Sequence, residues 1–216
     1  MTGGPLGRPF LFSIRYNRLM KIRYLVGIDE AGRGPLAGPV SVGAFCIPID
    51  FDWTILPGAK DSKQMTLAAR ESVFRLMQKL KKQKKIRFAV AFSPAGVIDR
   101  KGIVPAIRLA LSSAISKLEI DPQECRVLLD GGLRAPDEYI FQETIIRGDD
   151  SERVISAASI AAKVVRDRYM VQLSKKYPKY EFEVHKGYGT KKHRDSISKY
   201  GLCAIHRKTF CKAFDI

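Results

Sequence analysis

Two spacings of apolar residues run through the chain. Short runs rich in β-forming residues, at 24–28, 39–47, 88–92 and 126–129, are fenced by glycine, proline or acidic residues and read as strands. Other segments have helical spacing. Over 66–82 the apolar residues fall at 67, 73, 74, 76, 77 and 80, with Thr66 placed to cap the first turn. Over 104–118 they fall at 107, 109, 111, 114, 115 and 118. The stretch 154–173 differs, because its first half, with Ile155, Ala157, Ala158, Ile160, Ala161 and Ala162, is small or aliphatic on every side. Such a helix must be buried almost all round, against a neighbour close enough to need alanines. Strands alternating with helices predict an α/β fold. After Tyr177-Pro178 the composition turns basic, aromatic and glycine-punctuated, which marks off a small element over 177–216. Residues 1–20, with Gly3, Gly4, Pro5, Gly7 and Pro9, read as a disordered leader, leaving 21–176 for the main domain.

Charge narrows the class of partner. The 216 residues carry 38 Lys and Arg against 22 Asp and Glu, a formal charge of +16, while a hydrophobic share of 45% leaves ample material for a core. No run of about 18 uncharged apolar residues exists, so a membrane-spanning helix is excluded. Cys46, Cys125, Cys203 and Cys211 form no CxxC pair, and they read as reduced thiols of a cytoplasmic protein. The natural partner of so basic a chain is a polyanion, most commonly nucleic acid. Residues 1–28 contain no acid, and from Val171 onward 11 Lys or Arg face 4 acids, a net of +7. The lysine-rich run at 78–85 has a plainer reading as cations at a helix C-terminus.

Against this positive background a few acids stand out by position. Asp29 and Glu30 close the first strand, directly before Ala31-Gly32-Arg33-Gly34-Pro35; Asp130 closes the 126–129 strand; Asp167 lies on the long helix past its most apolar turn. Carboxylates at the C-terminal ends of neighbouring strands occupy a usual ligand position in an α/β sheet. Three of them in one small volume cannot all stay ionised without a cation, and hard oxygen donors imply a hard divalent metal. Adjacent residues on a regular strand point to opposite faces, so either Glu30 reaches round the strand end or one of the pair is structural. Gly32-Arg33-Gly34 lacks the spacing of a nucleotide phosphate loop; two glycines about a cation suit a backbone passing close to a phosphodiester or ribose. Lys186-Gly187-Tyr188-Gly189-Thr190-Lys191-Lys192-His193 frees an aromatic face among lysines, the combination that stacks on sugar or base while contacting phosphate.

Taken together, Ile28-Asp29-Glu30-Ala31-Gly32-Arg33-Gly34-Pro35-Leu36-Ala37-Gly38-Pro39-Val40, Asp61-Ser62-Lys63, Leu129-Asp130-Gly131, Ile155-Ser156-Ala157-Ala158-Ser159-Ile160-Ala161-Ala162-Lys163, Arg166-Asp167-Arg168, His185-Lys186-Gly187-Tyr188-Gly189-Thr190 and Ile205-His206-Arg207 closely resemble, in order, the motifs of ribonuclease HII, the type 2 ribonuclease H family. The resemblance implies an RNase H-like fold, a central mixed sheet flanked by helices with a C-terminal helical element. It implies an endoribonuclease that cleaves the RNA strand of RNA/DNA hybrids and nicks 5′ of single ribonucleotides in duplex DNA, leaving 3′-hydroxyl and 5′-phosphate ends. Asp29, Glu30, Asp130 and Asp167 match the four catalytic, metal-binding acids, serving two Mg²⁺ or Mn²⁺ ions. Gly32, Arg33 and Gly34 match the loop that reads the 2′-hydroxyl, Tyr188 the residue stacking on the next sugar, and Lys63 a phosphate contact. Gly132 departs from the family's usual Asn after Asp130-Gly131. A monomer is expected. The HIII type, which shares the fold but usually carries a large N-terminal domain, and an inactive nucleic-acid-binding protein are the alternatives.

Overall fold

The structure is a computed structural model, and it describes residues 22–59 and 65–212. The leader expected over 1–20 and Asp61, Ser62 and Lys63 lie outside the described residues. Five strands, β1 (Tyr24–Ala31), β2 (Val40–Pro48), β3 (Arg87–Ser93), β4 (Cys125–Asp130) and β5 (Gln142–Ile145), form one sheet in the order β3-β2-β1-β4-β5. β2 is antiparallel to both β1 and β3, whereas β4 is parallel to both β1 and β5, so the sheet is mixed. Among the described residues seven α-helices accompany it: α1 (Leu67–Lys82), α2 (Ala95–Lys101), α3 (Ile103–Ser116), α4 (Gly148–Ser151), α5 (Arg153–Lys176), α6 (Phe182–His185) and α7 (Lys191–Tyr200).

Alternation along β1 divides the core. Val26 and Ile28 face one layer, where Ala106, Ile107, Ala110, Leu111, Ala114 and Ile115 of α3 bury their stripe. Leu25 and Gly27 face the other, against α5 and α1. Thr66 caps α1 as expected, its hydroxyl accepting from the Ala69 N–H at 3.2 Å. The long helix also has the expected environment, because Val154 through Ala158 and Ile160 through Ala162 are buried. A β-carbon on Gly27 would sit 2.1 Å from the Val154 carbonyl oxygen, and one on Gly43 2.3 Å from that of Ala158. Two glycines on neighbouring strands therefore let the backbone of α5 rest directly on the sheet. This contact fixes the height of α5 over the ends of β1 and β4.

The C-terminal element packs beneath this frame through a small cluster of Ala37, Met170, Tyr180 and Phe182. No helix among the described residues is long and apolar enough to cross a membrane. All four cysteines are free.

Candidate active site

The strand register places the acids. Ile28 pairs with Leu129 where parallel β1 and β4 part, so Asp29 and Asp130 follow at the same level, both toward α5. β1 continues paired only with β2, through Glu30↔Val42 and Ala31↔Ser41. Beyond the end of its β4 partner, Glu30 reaches round the strand edge, so a regular strand delivers both adjacent carboxylates to one place. Asp29, Glu30 and Asp130 line an open cleft of about 470 Å³ together with residues 31–34, Arg70, Ser159, Lys163 and Tyr188.

Each acid is turned toward a protein partner. Asp29 Oδ1 accepts from the Glu30 N–H at 2.7 Å, and Ser159 adds a side-chain bond. Glu30 Oε1 accepts from Arg33 at 3.3 Å, and Asp130 Oδ1 from the Gly148 N–H at 2.7 Å. Asp167 accepts from Lys163 Nζ at 3.0 Å, one helical turn back, and stands behind that lysine instead of lining the cleft. Burial pushes the Asp29 carboxyl well above the usual carboxylate range against the pull of Ser159, and the charges of Glu30 and Asp130 push the same way. Burial likewise raises Glu30, although Arg33 draws it partly back. Among the described residues no three acidic, histidine or cysteine side chains converge tightly enough to grip an ion as they stand. The donor set nevertheless fits one: three carboxylates on one cleft, two of them held where negative charge is disfavoured, are relieved by a hard divalent cation.

The glycine loop is held by two fully buried arginines. Gly32 has φ +83°, and a β-carbon there would lie 2.0 Å from Arg166 Nε, so glycine is required both for the turn and for the arginine beneath it. Arg166 donates to the carbonyls of Pro39 at 2.9 Å and Ala37 at 3.3 Å. Arg207 donates to those of Gly32 at 2.6 Å, Arg33 at 2.8 Å and Gly38 at 2.9 Å. Burial disfavours the charged form of both, yet among the described residues neither is paired with a carboxylate, and backbone carbonyls accept their hydrogen bonds instead. Around Gly34, by contrast, the space where a side chain would begin is open. Tyr188 is 40% exposed, with Lys163 Nζ 5.3 Å and the Arg166 guanidinium 5.7 Å from its ring centre. Its exposed ring rules out a core tyrosine. At Gly132, too, no atom of the described residues lies within 4 Å of where a side chain would begin.

A family model for ribonuclease HII matches residues 26–213. The chain belongs to the ribonuclease HII family. Ribonuclease HII of Endomicrobium trichonymphae is 44% identical over 207 residues, 95% of this chain and 94% of the relative. That of Caldicellulosiruptor bescii is 44% identical over 190 residues, 88% and 87% of the two chains. Among solved structures, ribonuclease H2 from Pyrococcus horikoshii superposes with a TM-score of 0.67 at 26% identity, covering 89% of this chain and 97% of that one. Bst-RNase HIII in complex with Mn²⁺ shares the fold, with a TM-score of 0.62 at 19% identity over 89% and 66%. The protein is thus a ribonuclease with an RNase H-like fold.

Within this ribonuclease HII frame, the residues expected from the sequence meet in one place with two exceptions: Asp167 bonds the cleft residue Lys163 without itself lining the cleft, and Lys63 lies outside the described residues. Sequence reasoning assigned no role to Ser159, Lys163 or Arg70, which line the cleft, nor to Arg166 and Arg207. Ser159, Lys163 and Asp167 were accessible to it, because steps of four place them on one helix face. Arg207 gave no such signal; only the folded chain brings it under residues 32–38.

Proposed function

We propose that the protein is a metal-dependent endoribonuclease that hydrolyses the RNA strand of RNA/DNA hybrids and nicks 5′ of single ribonucleotides in duplex DNA, leaving 3′-hydroxyl and 5′-phosphate ends. One observation carries the reading: three carboxylates share a cleft with a backbone loop able to approach a ribose and an exposed tyrosine ringed by cations. Asp29, Glu30 and Asp130 would hold two Mg²⁺ or Mn²⁺ ions, with Asp167 joining them if it leaves Lys163. When bound, such ions activate a water and stabilise the departing 3′-oxygen.

The chain's own residues do the rest. Lys163, released from Asp167, and Arg33, released from Glu30, become free to face phosphate oxygens. The positive character of the cleft is thereby kept while its acids are occupied. RNA and DNA differ on every sugar only by the 2′-hydroxyl, so discrimination falls to the backbone of residues 32–34, whose Gly32 and Arg33 carbonyls Arg207 holds. Tyr188 offers a face on which the neighbouring sugar packs, and a rigid loop opposite it defines where the ribose must sit. Lys63 is assigned a phosphate contact beside the scissile bond.

The test is cleavage of an end-labelled duplex carrying one ribonucleotide, with Mg²⁺, Mn²⁺ or EDTA. Metal-dependent nicking that EDTA abolishes is expected; cleavage undiminished in EDTA would overturn the assignment of the acids.

A further inference from the structure

The protein's three histidines, His185, His193 and His206, are all buried in the C-terminal element, outside the cleft. Their ring nitrogens admit one arrangement of protons. The Cys203 backbone N–H donates to His206 Nδ1 at 2.9 Å, which leaves the His206 proton on Nε2. His206 Nε2 lies 3.1 Å from His193 Nε2, which must therefore accept, so the His193 proton sits on Nδ1. That Nδ1–H donates to the Tyr188 carbonyl at 2.9 Å. His185, stacked on His193 with centroids 4.3 Å apart, accepts from the Gly187 N–H at 3.2 Å and donates to the Tyr180 carbonyl at 2.7 Å. All three rings are neutral and every ring nitrogen is partnered, His206 Nδ1 twice, since the Cys203 sulfur also lies 3.1 Å from it. Burial, which pushes His193 and His206 down to about 4, favours the neutral forms.

The chain neighbour of His206 completes the pattern. Arg207 holds the carbonyls of Gly32, Arg33 and Gly38, while His206 reaches Tyr188 through His193. Two consecutive side chains thus grip the two halves of the cleft rim. The backbone adds a cross-link, since the Gly187 carbonyl accepts from Leu36 N–H at 2.9 Å and the Leu36 carbonyl accepts from Arg207 N–H at 2.7 Å.

We infer that the His206–His193 relay is a positioning device, one that fixes Tyr188 relative to the loop of residues 32–34 so that the two act on the substrate as a unit. This rests on the proposed reading of Tyr188 and that loop. A neutral relay with a single proton order is stiffer than apolar packing, because rotating any ring leaves a buried nitrogen unpaired. His193 and His206 touch no substrate; they act through Tyr188.

Two measurements test it. Nitrogen-15 NMR of the full chain with labelled histidine reads the tautomers directly: Nδ1–H for one ring and Nε2–H for two is expected, whatever the enzyme cleaves. Three rings of one tautomer would overturn the relay. The second is a double-mutant cycle on nicking of the one-ribonucleotide duplex. His193→Phe keeps the ring volume but removes both bonds, and His206→Asn keeps the acceptor for the Cys203 N–H while losing the donor to His193. Each is expected to lower kcat/KM roughly tenfold, the worth of one buried hydrogen bond. In either background Tyr188→Ala should cost much less than in the native protein, and His193→Asn, which retains a donor toward Tyr188, should recover most of the loss. An equal cost of Tyr188→Ala in all backgrounds would overturn the inference. Absence of nicking by the native protein would refute the proposed function, and the NMR result would still decide the relay.

Discussion

At the scale of single residues, charge is placed where the fold disfavours it. Asp29 is buried beside two other carboxylates, and its raised pKa means that the fold prefers the protonated form. The stability this preference gives is present below the carboxylate's unfolded pKa and is lost as pH rises through the folded one. At neutral pH the metal-free protein therefore folds despite Asp29. Asp29→Asn is expected to raise the melting temperature of metal-free protein by a few degrees while removing nicking activity, which thermal denaturation and the cleavage assay check side by side. Gly34 gives the opposite pairing. Its φ is not positive and nothing lies within 4 Å of a β-carbon there, so Gly34→Ala should leave the melting temperature unchanged. If the loop must approach a ribose, the same change should lower kcat/KM for a ribonucleotide substrate about tenfold or more, as measured by steady-state kinetics.

Elements translate these positions into a site, and α5 is the one that matters most. Its contact with β1 and β2 depends on Gly27 and Gly43, whose missing β-carbons admit its backbone. Gly27→Ala should destabilise the protein by about 3 kcal/mol, measurable by urea unfolding, because backbone must move to make room. The C-terminal element has its own signature. His193 and His206 have folded pKa values near 4 against 6.5 for the free ring. A depressed histidine stabilises the fold fully above its unfolded pKa, and that stability is lost as pH falls toward the folded one. Unfolding free energy should accordingly decline between pH 6.5 and 4, by on the order of 3 kcal/mol per ring at most. His193→Phe should flatten part of that slope.

The elements also show what a sequence can and cannot reveal. Strong periodicity sufficed for α1, α3 and α5, and Thr66 marked the start of α1. α2 escaped notice because Gly96 weakens its helical signal and Pro94 resembles a loop residue, although Pro94 is its N-cap. β5 reads Gln-Glu-Thr-Ile, a half-exposed edge with little apolar pattern; parallel pairing with β4 makes it a strand. Asp29, Glu30, Arg33, Asp130 and Tyr188 were legible because turn chemistry surrounds them in sequence. Arg166, Arg207 and the histidine relay were not, since their meaning depends on residues more than a hundred positions away or on ring orientation.

Over the whole molecule, the proposed function divides substrate handling between the +16 charge and the three acids of the cleft. Lysines and arginines spread over the surface attract a polyanion, whereas Asp29, Glu30 and Asp130 are gathered in one open cleft. Binding should then weaken steeply with ionic strength. If about six phosphates are contacted, affinity for duplex should fall roughly 10³-fold between about 50 and about 200 mM salt, as measured by fluorescence anisotropy. A flat salt dependence would detach the charge from substrate binding.

In the proposed function the cleft tests for a ribose and cuts on its 5′ side. The most direct measurement is the position of the break in an end-labelled duplex containing a single ribonucleotide, set beside the same duplex made entirely of DNA. One cut is expected, immediately 5′ of the ribonucleotide, with no cleavage of the all-DNA duplex. Cleavage of both duplexes, or a cut away from the ribonucleotide, would contradict it.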